Sequence, residues 1–154
     1  MSLAITGEMN YLRAENLITF GKSAKRKEEW QGYRAAALRG HAAAQYKYGY
    51  MLSRGLIKKA NFKKGMNYIK KSAMQGYPEA VCELARGYYY GFGVKRNLRR
   101  AAKVWDFGAK IGIPEAAYYL GLAYYKGEGV KKSEEKANFF FEKAKNGGFL
   151  PSRV

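Results

Sequence analysis

Reactive side chains are scarce in this chain, which narrows the chemistry open to it. Cys82 is its single cysteine and His41 its single histidine. One of each assembles no set of nucleophile, base and orienting residue. A metal centre needs several such ligands at defined spacing. Cys82 stands where Tyr46 and Tyr118 stand in a 36-residue register. It is expected as a half-buried structural thiol, packing as a small hydrophobe, and alone it closes no internal disulfide. His41 follows Gly40 and is expected as a turn residue. Glu134 and Glu135 are paired carboxylates, but they open an exposed helix, where negative charge complements the helix N-terminus. The Gly-x-Gly pairs at 91–93 and 127–129 lack the lysine and the preceding strand of a phosphate loop. No catalytic residue, metal or cofactor is expected.

What the residues do offer is positive charge. Lysine and arginine number 29 against 12 acidic residues, a net +17. The distribution is uneven, with no Asp or Glu from residue 30 to residue 78. The cations also recur in columns. Lys59, Lys95 and Lys131 share one 36-residue spacing, Lys27, Lys63 and Arg99 a second, and Lys64, Arg100 and Lys136 a third. Such columns become surface stripes only if the chain stacks one layer per period. Layers about 10 Å apart would then bring the cations close to the screening length of about 8 Å at physiological salt, enough to attract an anionic partner together.

The elements that would position these residues are written in the same period. Gly40, Gly76, Gly112 and Gly148 stand 36 residues apart. Ala44, Ala80 and Ala116 follow the first three at one offset, Tyr48, Leu84 and Leu120 at the next, and Leu52, Tyr88 and Tyr124 at a third. Offsets of 4, 8 and 12 trace one face of a helix. Tyr33, Ile69, Trp105 and Phe141 precede the four glycines as a bulky apolar column. Pro78 and Pro114 suit the first position of a helix, and Asn61, Asn97 and Ser133 suit its N-cap. Together these signals predict helices over 25–39, 42–53, 62–75, 78–90, 98–111, 114–126 and 134–146. Residues Glu8–Phe20 can form a further helix, either the second helix of a degenerate leading repeat or a looser cap. No hairpin of this kind buries its apolar face alone, so stacking is obligatory.

The stretch NLRRAAKVWDFGAKIGIPEAAYYLGLAYYKGEGV, from Asn97 to Val130, resembles a Sel-one-like repeat, a relative of the tetratricopeptide repeat. The likeness rests on the alanine-rich first helix, Trp105, the Ala-x-x-x-Gly turn, the A-x-x-L-G-x-x-Y second helix and the closing G-x-G-V loop. The unit from Asn61 to Arg96 matches nearly as well. The first unit departs, reading Gly55-Leu56-Ile57 without the second glycine, which leaves the geometry of that loop open. The resemblance covers about residues 22–148. It implies an all-α fold, a right-handed α-solenoid of stacked antiparallel helix hairpins with a 36-residue repeat. The expected layout is a leading helix or degenerate cap over 1–21, repeats over 22–60, 61–96 and 97–132, and a half-repeat capping helix with a tail over 133–154.

The same resemblance implies a role in protein–protein contacts and carries no catalytic residue with it. In related repeats the first helix of each hairpin lines a concave side. Its non-core positions here are Lys64, Arg100 and Lys136, then Asn67 and Lys103, then Tyr68, Val104 and Phe140, then Lys71, Phe107 and Lys143. Cations interleaved with aromatic and apolar residues suit an acidic, partly apolar protein or peptide. The expected partner-binding residues are therefore Lys64, Asn67, Tyr68, Lys71, Arg100, Lys103, Phe107, Lys136, Phe140 and Lys143, with Lys59, Lys95 and Lys131 as a basic loop stripe. The function expected is a non-enzymatic adaptor, regulator or toxin-neutralising immunity module. The alternatives are a plain solvated basic face and binding of nucleic acid or an anionic surface through the stripes. A single domain suits 154 residues, and no apolar run reaches the length of a membrane span. The beginning lacks a secretory leader pattern, which favours the cytoplasm and leaves a periplasmic or secreted location open. Bacterial members of the family include signalling regulators and secretion factors. Oligomeric state is left undetermined.

Overall fold

Local signals decide where each helix starts and stops. The computed structural model describes residues 26–57 and 59–151. These hold seven helices: α1 (Arg26–Leu38), α2 (Ala42–Ser53), α3 (Phe62–Met74), α4 (Pro78–Tyr90), α5 (Leu98–Lys110), α6 (Pro114–Lys126) and α7 (Glu134–Asn146). No strand occurs among the described residues, and the fold is an all-α helical repeat. The helix expected over Glu8–Phe20 lies outside the described residues.

One turn is built four times. Gly40, Gly76, Gly112 and Gly148 all take positive φ, between 81° and 91°. The amide after each glycine reaches back five residues: His41 N to Ala36 O, Tyr77 N to Ser72 O, Ile113 N to Gly108 O and Phe149 N to Ala144 O. This bond closes the helix end and needs a left-handed residue, which glycine adopts without steric cost. The next helix then starts from its own cap. Asn61 Oδ1, Asn97 Oδ1 and Ser133 Oγ accept from the backbone N–H of Lys64, Arg100 and Lys136 at 3.0, 2.9 and 3.2 Å. His41 has a more specific role than a turn residue: its Nδ1 accepts from Ala44 N at 3.3 Å and caps α2.

The loops from one period to the next also repeat. Asn61 N, Asn97 N and Ser133 N donate to Leu52 O, Tyr88 O and Tyr124 O, at 2.9, 2.7 and 3.0 Å. Leu56 N, Phe92 N and Glu128 N donate to Met51 O, Gly87 O and Ala123 O, at 2.9, 3.0 and 2.9 Å. The first loop has Ile57 in place of the second glycine and still makes both bonds.

The chain divides into two compact units, up to Ala80 and from Val81. In the first, Tyr33, Ala36, Ala37, Ala44, Tyr48 and Leu52 form a buried cluster, against which Trp30, Met51, Ile57 and Tyr68 pack. α2 and α3 approach through a pair of glycines. A Cβ on Gly49 would lie 2.6 Å from Gly65 O, and one on Gly65 would lie 2.5 Å from Gly49 O. Polar bonds set their register: Ser72 Oγ donates to Ala42 O at 2.7 Å, and Gln75 Nε2 donates to Gln45 Oε1 at 2.8 Å and to Gly40 O at 3.0 Å.

The core of the second unit is mainly alanine. Ala85, Ala101, Ala102, Ala109, Ala116, Ala117, Ala137 and Ala144 are buried with Val81, Leu84, Tyr88, Trp105 and Leu120. Small residues let the helices lie close: Gly108 faces the Ala116 Cβ, and Gly121 faces the Phe141 ring and Ala137 O. Of the bulky column, Tyr33, Ile69 and Trp105 are buried, whereas Phe141 on α7 is only half-buried. Cys82 is fully buried, deeper than the half-buried thiol expected.

Candidate interaction surface

The first helix of each repeat has two faces. On α3 the buried side is Gly65, Met66, Ile69, Ser72 and Ala73. Lys64, Asn67, Tyr68 and Lys71 fall at the i, i+3, i+4, i+7 spacing of one stripe. Three of them are exposed and Tyr68 is half-buried. On α5 the buried side is Ala101, Ala102, Trp105, Gly108 and Ala109. Arg100, Lys103 and Phe107 are exposed beside it, with 41% of Phe107 open to solvent. On α7, Lys136 and Lys143 are exposed and Phe140 is half-buried. Each stripe runs about 10 Å along its helix.

Several of the cations are held beside rings. Lys71 Nζ lies 5.3 Å from the Tyr68 ring centroid. Arg100 Cζ lies 5.8 Å from that of Tyr88, and Lys136 Nζ lies 5.3 Å from that of Tyr124. Tyr124 in turn stacks on Phe140, with centroids 5.8 Å apart and planes 3° from parallel. These two pairs share one construction. The cap places Arg100 or Lys136 in the first turn of its helix, and the loop bond brings that turn over the last turn of the preceding helix. Leu52 occupies the ring position in the first unit, so Lys64 has no equivalent partner there. Such contacts are worth about 0.5–1 kcal/mol at exposed sites, less than the roughly 1.5–2 kcal/mol needed to fix a Lys or Arg side chain, so they bias the cation toward the ring and leave its charge available.

The structure thus joins Lys71 to Tyr68, Arg100 to Tyr88, and Lys136 to Tyr124 and Phe140. It leaves Asn67, Lys103, Phe107 and Lys143 as exposed stripe members. Lys59, Lys95 and Lys131 are exposed in three separate loops, Lys59 in the first unit and the others in the second. Sequence reasoning missed Phe139, which is 62% exposed and packs edge-on to Phe140 at 5.1 Å. The signal was present, because Phe139 stands one period after Lys103.

Electrostatics differ between the units. In the first, residues 31–77 contain no Asp or Glu, so the cations of that segment have no acid within it to offset them. In the second, Arg86 bridges Glu83 at 3.3 Å and Glu115 at 3.1 Å. Burial works to lower the Arg86 pKa, but the two carboxylates outweigh it and hold the guanidinium above its usual value. Lys110 pairs with Asp106 one turn back, at 2.7 Å. Among the described residues, no group of three His, Cys, Asp or Glu side chains is placed to hold a metal ion. No helix among them is long and apolar enough to cross a membrane.

Comparison with known proteins bears on this geometry. The Sel1 repeat model matches residues 42–77, 78–103 and 114–149. Two of these segments join α2 to α3 and α6 to α7, the pairs drawn together at Gly49–Gly65 and at Gly121. No curated protein matches the chain. Among solved structures, a Sel1 repeat protein from Oxalobacter formigenes is similar at 26% identity and a TM-score of 0.85, covering 94% of this chain and 60% of that one. A protective antigen of uropathogenic Escherichia coli displaying an SLR fold gives 28% identity and a TM-score of 0.74, over 78% of this chain and 26% of its own. Cysteine rich protein B of Helicobacter pylori gives 26% and 0.63, over 81% and 90%. The chain therefore spans about a quarter of the antigen and three-fifths of the Oxalobacter protein.

Proposed function

This chain belongs to the Sel1 repeat family, and from that premise we propose that it is an adaptor or regulator whose α5 and α7 stripes, in the second unit, bind an acidic, partly apolar protein or peptide, the α3 stripe of the first unit being a surface of the same kind. Sel1 repeats are in general protein–protein interaction modules on a non-enzymatic repeat fold. The observation that carries the finer reading is the pairing of cation and ring on these stripes, above all Lys136 beside the stacked Tyr124 and Phe140. Ring faces offer apolar contact to a partner while the adjoining cation meets its carboxylate. Paired surfaces of this kind speed encounter and reject cationic competitors.

The test is capture of partners on immobilised protein from a lysate of the source cells, at low and high salt, with variants beside the native chain. Arg100→Glu and Lys136→Glu are expected to cut retention of the captured protein by roughly tenfold or more, as like-charge contacts across an interface do. Phe107→Ala is expected to weaken it with little dependence on salt. Retention unchanged in all three variants would overturn the assignment of these stripes. A partner population dominated by nucleic acid, lost steeply as salt rises, would replace the acidic protein with phosphate as the target.

A further inference from the structure

The other face of α5 borders a cleft that the basic stripes do not use. Leu98, Ala101, Ala102 and Trp105 line it, set two residues away from Arg100, Lys103 and Phe107 and so rotated by roughly 200° around the helix. The remaining walls are Tyr89 and Tyr90 of α4 and Tyr119, Leu122 and Ala123 of α6, with Arg86, Lys126 and Glu128 at the rim. Every one of these residues belongs to the second unit. The cleft has a volume of about 150 Å³, the size of a cavity that accepts one benzene ring. Trp105 and Tyr119 stack at 4.8 Å and form its aromatic wall.

The rim offers acceptors to a hydrogen-bond donor. Arg86 is already engaged by two carboxylates. The Tyr89 hydroxyl donates to Glu128 Oε2 at 2.8 Å, which leaves lone pairs on both the hydroxyl and the carboxylate to accept from a newcomer. We propose that this cleft is a second binding site, which takes the phenol ring of a tyrosine presented by a partner peptide. The ring enters against Trp105 and Tyr119, and its hydroxyl donates to the Glu128–Tyr89 pair. The site stands independently of the basic stripes, because it lies on a different face and uses none of their residues.

The probes are p-cresol, N-acetyl-tyrosine amide and toluene, titrated into the full chain while the indole N–H resonances of Trp105 and Trp30 are followed by NMR. p-Cresol and the amide are expected to shift Trp105 saturably with a dissociation constant on the order of 1 mM, a modest affinity for so small a ligand. Trp30 is expected to stay in place. Toluene is expected to bind roughly fivefold more weakly, the worth of one hydrogen bond. Ala123→Leu fills the cleft and should weaken p-cresol by about tenfold or more. Glu128→Ala, in a loop, leaves the walls intact and should abolish the preference for p-cresol over toluene. An unmoved Trp105, or equal binding by the Ala123→Leu variant, would overturn the site. Toluene binding as well as p-cresol to the native chain would overturn the tyrosine assignment. A Trp105 shift caused by raising protein concentration alone would replace the peptide with a second copy of this chain.

Discussion

His41 shows how one side chain can carry a structural duty that its residue type does not announce. Its Nδ1 is the side-chain acceptor at the start of α2. Ile113 holds the equivalent place before α6 and makes no side-chain cap bond. His41→Ala is expected to cost about 1 kcal/mol, while His41→Asn, a better capping residue, should restore it. Urea unfolding of the three proteins reads this directly. Tyr89 offers a second test. Its hydrogen bond to Glu128, followed by burial, raises its pKa above the ordinary 10.0. A pKa raised in the folded state means that the stability it brings is complete below that ordinary value and is lost as pH rises through the folded one. Native protein and Tyr89→Phe should therefore differ in urea midpoint near neutral pH and converge above about pH 10. A constant gap across the alkaline range would count against the bond. The caps at Asn61, Asn97 and Ser133 were legible in sequence, because a cap engages an amide three residues away. The His41 cap was not, because histidine caps only when its ring happens to rotate over the helix end.

At the scale of helix pairs, the approach of α2 to α3 is the feature most exposed to substitution. Each of Gly49 and Gly65 sits under the carbonyl of the other. Gly65→Ala gains helix propensity worth about 1 kcal/mol but drives a methyl group against a backbone oxygen, which cannot move aside as a side-chain tip can. Overpacking of this kind costs about 1–3 kcal/mol, so a net loss of stability is expected in thermal or urea unfolding. One period later the same two places are Ala85 and Ala101, and two periods later Gly121 and Ala137, so the pair bare of side chains on both helices belongs to α2 and α3. Ser72 makes the parallel point, since its hydroxyl bonds Ala42 O thirty residues away. Ser72→Ala would leave that carbonyl without this partner, and a loss of about 1–3 kcal/mol is expected. The periodicity identified both helices, but nothing in it marked which glycines would touch.

Across the whole molecule, the excess of 29 basic over 12 acidic residues sets the behaviour of the surface. Charge-driven binding should weaken as salt shortens the screening length from about 8 Å at physiological strength to about 3 Å at 1 M. Contacts made by Phe107 and Phe139 should persist. Comparing partner retention at those two strengths separates the contributions. The sequence by itself determined the helices, their turns and the 36-residue order of the repeat, because each depends on bonds spanning about five residues or fewer and on side chains that recur in register. Tertiary structure alone decided which rings the cations meet, how closely two helices lie at Gly49 and Gly65, and that Trp105 and Tyr119 leave a ring-sized cleft beside them. Those outcomes depend on how one helix is rotated and shifted against the next, and that fit is settled by the packing of many side chains at once.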